Sequence, residues 1–186
     1  DFGTAGHAAL EQLASSGWRG DIAALAQASG ADNHLSVRDI SDLRARLEET
    51  AGVMAKTVSK AADLRVEWPF AMLLENDGTK LIVDGTMDLV FRAKDGSWHI
   101  IDYKFSDEPE HALKKKYGLQ LNLYRLALSR FQKGLEPVIH SSLIVIGRGG
   151  VRVVDIPEDP DCPATAVKAA EELDALFREG ASTHEQ

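Results

Sequence analysis

The sequence predicts an α/β fold, in which helices cover both faces of a mixed central sheet and a helical segment precedes it. The first 64 residues show helical patterns only, whereas residues 65–186 alternate short β-type runs with two helical stretches. Three consecutive strands, then a helix, then further strands require a crossover that covers the sheet. We therefore expect strands of both relative directions.

Three helices are predicted in the N-terminal segment. Residues 4–16 and 21–28 form short helical patterns that glycines separate. Residues 36–64 form a longer pattern, and the spacing of Ser36 and Asp39 at its start resembles a capping box. Apolar residues recur along this stretch at helical spacing, which predicts one face packed on the rest of the protein.

Five strands and two helices are predicted after residue 64. The strands span 65–74, 80–92, 98–105, 138–146 and 151–156, and the helices span 109–132 and 164–177. Tight turns are expected at Asn76-Asp77-Gly78 and at Lys94-Asp95-Gly96, and Gly134 is expected to end the first of these helices. We assign residues 1–186 to a single domain, with 1–64 as the helical segment and 65–186 as the core.

Composition argues against several classes of protein. The net charge is −8, which argues against a protein whose whole surface holds nucleic acid but leaves a local basic groove open. No apolar stretch approaches the ~20 residues that span a bilayer, and no signal-peptide pattern is present. Cys162 is the only cysteine, so no internal disulfide can form, and a cytoplasmic location is expected.

Two carboxylates and an amine are predicted to share one face of the second and third strands. A hairpin centred on Asp95 places Asp88 opposite Asp102, with Cβ atoms ~5 Å apart, and Lys104 two residues further along that face. Paired carboxylates repel, so a proton, a basic neighbour or a cation must offset them. Oxygen ligands at this separation suit Mg²⁺, and the amine could orient or deprotonate a water that hydrolyses a phosphodiester.

A surface ion pair is the competing interpretation of the same residues. Asp102 and Lys104 could pair on a solvated strand edge, and an isolated Asp-x-Lys favours that interpretation. The catalytic interpretation depends on Asp88 lying opposite Asp102 and Lys104. Asp84, four residues before Asp88 on the same strand, is expected on the same face. A metal-dependent hydrolase for a substrate other than nucleic acid stays open, because one fold hosts many chemistries.

Five short motifs occur in order along nearly the whole chain. Residues 85–91, 98–104 and 117–124 carry Gly-x-x-Asp, Asp-Tyr-Lys and Gln-x-x-x-Tyr elements, and residues 6–11 and 67–70 precede them. This set resembles the PD-(D/E)xK nuclease superfamily, in particular the RecB-like nuclease domains of AddA- and RecB-type helicase–nucleases. The resemblance implies a restriction-endonuclease-like fold with an αβββαβ-type core that the first helix completes.

The resemblance also implies an activity. It implies a Mg²⁺-dependent deoxyribonuclease, with Mn²⁺ as a substitute, that acts exonucleolytically on single strands in DNA repair and recombination. The implied partners are DNA, a helicase domain in the same polypeptide and a second subunit of the helicase–nuclease. Some relatives hold an iron–sulfur cluster on four cysteines, and with Cys162 alone this chain is expected to hold none. The alternative is a catalytically silent DNA-binding or assembly module, which the negative charge favours.

Site residues follow from the same resemblance. Asp88, Asp102 and Lys104 are catalytic, and the metal ligands are Asp88, Asp102, His7 and the backbone carbonyl of Tyr103. For His7 alone, a capped or core histidine is an equal alternative.

Three further features stay open. Gln120 and Tyr124 share a helix face and are assigned to substrate binding, with core packing of Tyr124 as the alternative. Glu67 is a possible site residue, structural or in contact with the site. Lys114-Lys115-Lys116 could meet phosphates or form a solvated charge run.

Overall fold

The computed structural model describes residues 1–76, 78–132 and 137–182, and in this part of the chain five α-helices surround a five-stranded sheet. The elements are α1 Phe2–Ser15, α2 Ile22–Asp32, α3 Val37–Thr57, β1 Ala61–Asn76, β2 Thr79–Ala93, β3 Trp98–Lys104, α4 Glu110–Phe131, β4 Ile139–Gly147, β5 Gly150–Asp155 and α5 Cys162–Ser182. The predicted α/β class, mixed sheet and N-terminal helical segment are confirmed. Asp77, at the centre of one predicted turn, and Gly134, predicted to end a helix, lie outside the described residues.

The sheet has the strand order β1-β2-β3-β4-β5. Strands β3 and β4 run parallel, and the other neighbours are antiparallel. A parallel pair needs a crossover, which α4 supplies. Helices α1 to α3 enclose one apolar core against the sheet, and α4 packs in two others. Among the described residues, no helix is both long and apolar enough to cross a membrane.

The first strand begins earlier than the sequence predicts. Helix α3 ends at Thr57, a single 3-10 turn covers Val58–Lys60, and β1 starts at Ala61 instead of residue 65. Leu64 pairs with β2 and packs against the core under the N-terminal helices. In the strand, the backbone of residues 61–64 pairs with β2. These hydrogen bonds contribute more than the weak helical pattern of the sequence, so the segment is a strand.

Midway along the β1–β2 hairpin, side chains of the same parity move from one apolar core to the other. Leu89 packs in the core under α1 to α3, whereas Met87, of the same parity, packs in the core with α4. The ladder lacks one pair at this point, between Val66↔Leu89 and Trp68↔Met87. Glu67 lies in the gap with a φ of 48°, a left-handed conformation that a non-glycine residue rarely adopts. Residues of equal parity in β2, which strict alternation would place on one face, therefore pack in different cores.

Candidate active site

The site lies where β2 and β3 separate. The two strands pair in the predicted register, centred on Asp95, but the last pair is Leu89↔Ile101. Beyond it, Asp88 Oδ2 accepts a hydrogen bond of 2.8 Å from the backbone N–H of Tyr103. The Asp88 carboxylate thus accepts the hydrogen bond that a backbone carbonyl of β2 would accept in a continuous ladder. Asp88 and Asp102 therefore do not form a ladder pair.

Asp102 is a buried carboxylate with two contacts. Its side chain is 1% exposed, Oδ2 lies 2.5 Å from Lys104 Nζ, and Oδ1 accepts a hydrogen bond of 3.3 Å from Gln120 Nε2. Burial, followed by repulsion from Asp88, raises the pKa of Asp102 to about 6, although Lys104 opposes the shift. Lys104 alone therefore does not offset the cost of holding two carboxylates together.

Helix α1 brings His7 to the same point. His7 Nδ1 lies 3.6 Å from Asp88 Oδ2. Burial lowers the pKa of His7, while Asp88 acts in the opposite direction and Lys104 lowers it further. A lowered pKa keeps the imidazole neutral near neutral pH, which is the form that binds metals. The approach of α1 depends on Gly6, since a Cβ there would lie 2.1 Å from the Phe105 ring.

The pKa of Glu67 is sensitive to the charges of these carboxylates. Burial raises the pKa of Glu67 to about 7, and Asp88, Glu11 and Asp102 raise it in that order. The carboxyl of Glu67 is therefore close enough to Asp88 and Asp102 for their charges to act on it, and its part in the site stays a prediction. Sequence reasoning assigned no role to Glu11, although its position four residues after His7 on α1 places both on one helix face.

The donor atoms suit a divalent cation. In the described part of the chain, no group of three His, Cys, Asp or Glu side chains is arranged to hold a metal ion. The oxygens of Asp88 and Asp102 face the Tyr103 N–H and Lys104 instead. Even so, Asp102 Oδ2 is buried and has no hydrogen-bond partner apart from the Lys104 contact. The two carboxylates and the His7 imidazole, 3.6 Å from Asp88, are donor types that a divalent cation can bind.

Helix α4 covers the site from the other side. Gln120 Nε2 contacts both Asp102 Oδ1 and, at 2.7 Å, the Tyr124 hydroxyl. Tyr124 is 7% exposed and packs edge-on against Phe70, with ring centroids 5.4 Å apart. This burial favours the core alternative for Tyr124 and leaves Gln120 as the link between the core and Asp102.

The lysine run precedes Gln120 on the same helix. Lys114 Nζ lies 2.6 Å from Glu110, and Lys116 Nζ lies 3.2 Å from Glu108. These pairs favour the solvated charge run for both lysines. Tyr117, which follows the run, is a residue for which sequence reasoning gave no role, and Lys104 Nζ lies over its ring.

Comparisons with known proteins give one family. Residues 1–184 match the PD-(D/E)XK nuclease superfamily. The chain is 31% identical over 156 residues to an ATP-dependent helicase/nuclease subunit of Desulfitobacterium hafniense, and the alignment covers 70% of this chain and 11% of that protein. It is 34% identical over 85 residues to the protein of the same name from Anoxybacillus flavithermus, covering 43% of this chain and 7% of that protein.

The matched region is a small part of these relatives. The chain spans about a tenth of the length of the curated proteins it matches. Among solved structures, the crystal structure of SSO0001 matches with a TM-score of 0.50 and 21% identity, covering 74% of this chain and 64% of that one. At this identity the likeness concerns the fold alone.

Proposed function

The chain belongs to the PD-(D/E)XK nuclease superfamily, and we propose that it is a Mg²⁺-dependent deoxyribonuclease that degrades single-stranded DNA from an end. The proposal further places it in a larger helicase–nuclease of DNA repair and recombination, which the names of its curated relatives support. The observation that carries it is the meeting of Asp88, Asp102, His7 and Lys104 where β2 and β3 separate.

Each residue has a role in the proposed reaction. A bound divalent cation polarises the phosphoryl oxygen, lowers the pKa of water and neutralises developing charge. Asp88, Asp102, His7 and the carbonyl of Tyr103 would hold it. Lys104, released from Asp102 as an ammonium, would donate a hydrogen bond that orients the attacking water, and the proton that this water loses would pass to bulk water.

Gln120 has a separate role, since it does not reach the reacting atoms in this proposal. It donates to Asp102 Oδ1 and is itself held by the buried Tyr124. Fixing one oxygen of Asp102 leaves the other directed towards the cation. Hydrogen bonds of this kind orient metal ligands and are costly to remove.

The negative net charge of the chain affects how DNA would reach the site. With a net charge of −8, the chain repels a polyanion over most of its surface. We therefore propose that a helicase motor in the same polypeptide feeds the strand to the site. The same charge favours the alternative of a catalytically silent assembly module, which the experiment below separates.

The decisive experiment compares Asp88→Asn with Asp84→Asn. Asparagine at position 88 keeps an oxygen for the Tyr103 N–H, so the fold is retained while the negative charge is lost. Asp84 lies on the same strand but is exposed, and it provides the matched control. We expect Mg²⁺-dependent release of nucleotides from labelled single-stranded DNA by the wild type and by Asp84→Asn, and none by Asp88→Asn.

A second pair of variants tests the amine. Lys104→Met keeps the aliphatic part of the side chain and should abolish cleavage, whereas Lys114→Met removes a partly exposed lysine on α4 and should not. Equal cleavage by Lys104→Met and the wild type would refute the assignment. Wild-type protein that is inactive with Mg²⁺ and Mn²⁺, even when joined to its helicase segment, would instead support the silent module.

A further inference from the structure

The Lys104 ammonium contacts a carboxylate and an aromatic ring. Its Nζ lies 2.5 Å from Asp102 Oδ2 and 4.8 Å from the centroid of the Tyr117 ring. The side chain is 17% exposed, so the ammonium lies between a buried acid and an aromatic face with little access to water. A cation within ~6 Å of a ring centroid is attracted to the face of the ring, and more strongly when water is excluded.

The Tyr117 ring is itself held in place. On one side it packs against the apolar core that α4 forms with β4 and β5. Lys116 Nζ also lies 5.3 Å from the ring centroid, and hydrogen bonds to Glu108 and then to the Tyr117 hydroxyl raise the pKa of Lys116. The apolar packing restricts the ring, and its face is in contact with Lys104.

The contact between Lys104 and Tyr117 matters because Lys104 and a divalent cation would compete for the same oxygen of Asp102. The same Oδ2 that now binds Lys104 is the buried oxygen without another partner. A divalent cation on that oxygen would repel the ammonium and displace it from Asp102. Without a second contact, a side chain with four rotatable bonds would leave the site for water, because its ordering carries a large entropic cost.

We propose that Tyr117 is a positioning residue, whose ring keeps the Lys104 ammonium inside the site when a divalent cation takes its place on Asp102. This inference rests on the proposed function, since it assigns Lys104 a part in the reaction. The ring does not touch the reacting atoms. It restricts the Lys104 side chain to the volume from which Nζ reaches the attacking water.

Substitutions at Tyr117 separate the aromatic face from the bulk and the hydroxyl. Tyr117→Phe keeps the face and removes only the link to Lys116, so kcat should stay within about 2-fold of wild type. Tyr117→Leu keeps apolar packing but removes the face, and kcat should fall roughly 5- to 30-fold with little change in KM. Phe131→Leu, an exposed aromatic at the far end of the same helix, is the matched control and should leave kcat unchanged.

A spectroscopic measurement tests the contact without relying on activity. In the chain labelled with ¹³C at lysine Cε, the ring face should shift the Lys104 ε-methylene protons upfield, with the signal assigned by Lys104→Arg. We expect this shift in wild type and Tyr117→Phe, its persistence on addition of Mg²⁺, and its loss in Tyr117→Leu. A Lys104 signal that returns to the position of the exposed lysines when Mg²⁺ is added would overturn the proposal.

The two measurements also distinguish this inference from the proposed nuclease activity. If Asp88→Asn abolishes cleavage but Tyr117→Leu cleaves like wild type, the nuclease assignment stands and the role of Tyr117 is refuted. If the wild type does not cleave DNA, the proposed function fails, and the response of the Lys104 signal to Mg²⁺ still decides whether Tyr117 holds this side chain.

Discussion

Gly6→Ala should destabilise the protein, although alanine is normally the better helix residue. Gly6 lies inside α1, and an added Cβ would be 2.1 Å from Phe105 Cζ and 2.2 Å from Cε2. Carbon atoms pack at ~3.5–4 Å, so the ring or the helix must move by more than 1 Å, on the order of the missing separation. The ring also contacts Phe2 and His7, with centroids 5.8 and 6.1 Å away, so its displacement costs further packing.

Gly52→Ala on α3 is the matched control, because a Cβ there meets nothing within 4 Å. It should stabilise the protein by about 0.5–1 kcal/mol through backbone entropy and helix propensity. Overpacking typically costs about 1–3 kcal/mol, so Gly6→Ala should have a free energy of unfolding lower than that of Gly52→Ala by this amount. Urea unfolding followed by circular dichroism measures the difference.

A double-mutant cycle tests the assigned cause. In a Phe105→Ala background the obstacle is gone, and Gly6→Ala should then stabilise the protein as Gly52→Ala does. The same destabilisation by Gly6→Ala with and without the Phe105 ring would refute the reasoning. Because His7 follows Gly6, we also expect Gly6→Ala to reduce Mg²⁺-dependent cleavage at temperatures where the protein is fully folded.

Three other predictions concern the carboxylates of the site. The pKa of Glu67 is raised from 4.5 to about 7, so its contribution to stability is present below pH 4.5 and is lost as the pH rises through about 7. In EDTA, the free energy of unfolding of Glu67→Gln should therefore rise relative to that of wild type as the pH increases from 4.5 to about 7. Urea unfolding at a series of pH values measures this difference, and a difference that does not change with pH would contradict the prediction. Mg²⁺ should raise the melting temperature of wild type but not of Asp102→Asn, as scanning fluorimetry would detect. Gln120→Leu removes the partner of Asp102 Oδ1 and should weaken Mg²⁺ affinity about 10- to 100-fold in an activity titration, whereas Tyr124→Phe keeps that hydrogen bond and should change it far less.

Much of the fold follows from local patterns in the chain. The order of helices and strands was predictable, because hydrophobic period and turn residues act within a few positions. The register of β2 with β3 also followed, since a short loop centred on Asp95 fixes which residues stand opposite each other. That register directs Asp88 towards the third strand, but the ladder ends at Leu89↔Ile101, so the placement of the Asp88 carboxylate also depends on its hydrogen bond from the Tyr103 N–H.

The start of β1 and the side change of the hairpin could not be predicted in this way. Residues 61–64 have a weak helical pattern, and only pairing with β2 makes them a strand. At Glu67 the left-handed backbone carries no signal in the residue type, because glycine or asparagine would be expected there. Such a conformation persists only when the surrounding structure holds it.

The sequence by itself therefore determined the class of fold and the register of β2 with β3, since both depend on short-range geometry along the chain. Only the tertiary structure decided the distances at which other side chains approach Asp88, Asp102 and Lys104. His7 comes from α1, about 80 residues before Asp88, and Gln120 and Tyr117 come from the crossover helix. Their distances to Asp102 and Lys104 are set by how tightly α1 and α4 pack on the two faces of the sheet, and packing of distant elements leaves no periodic trace in the sequence.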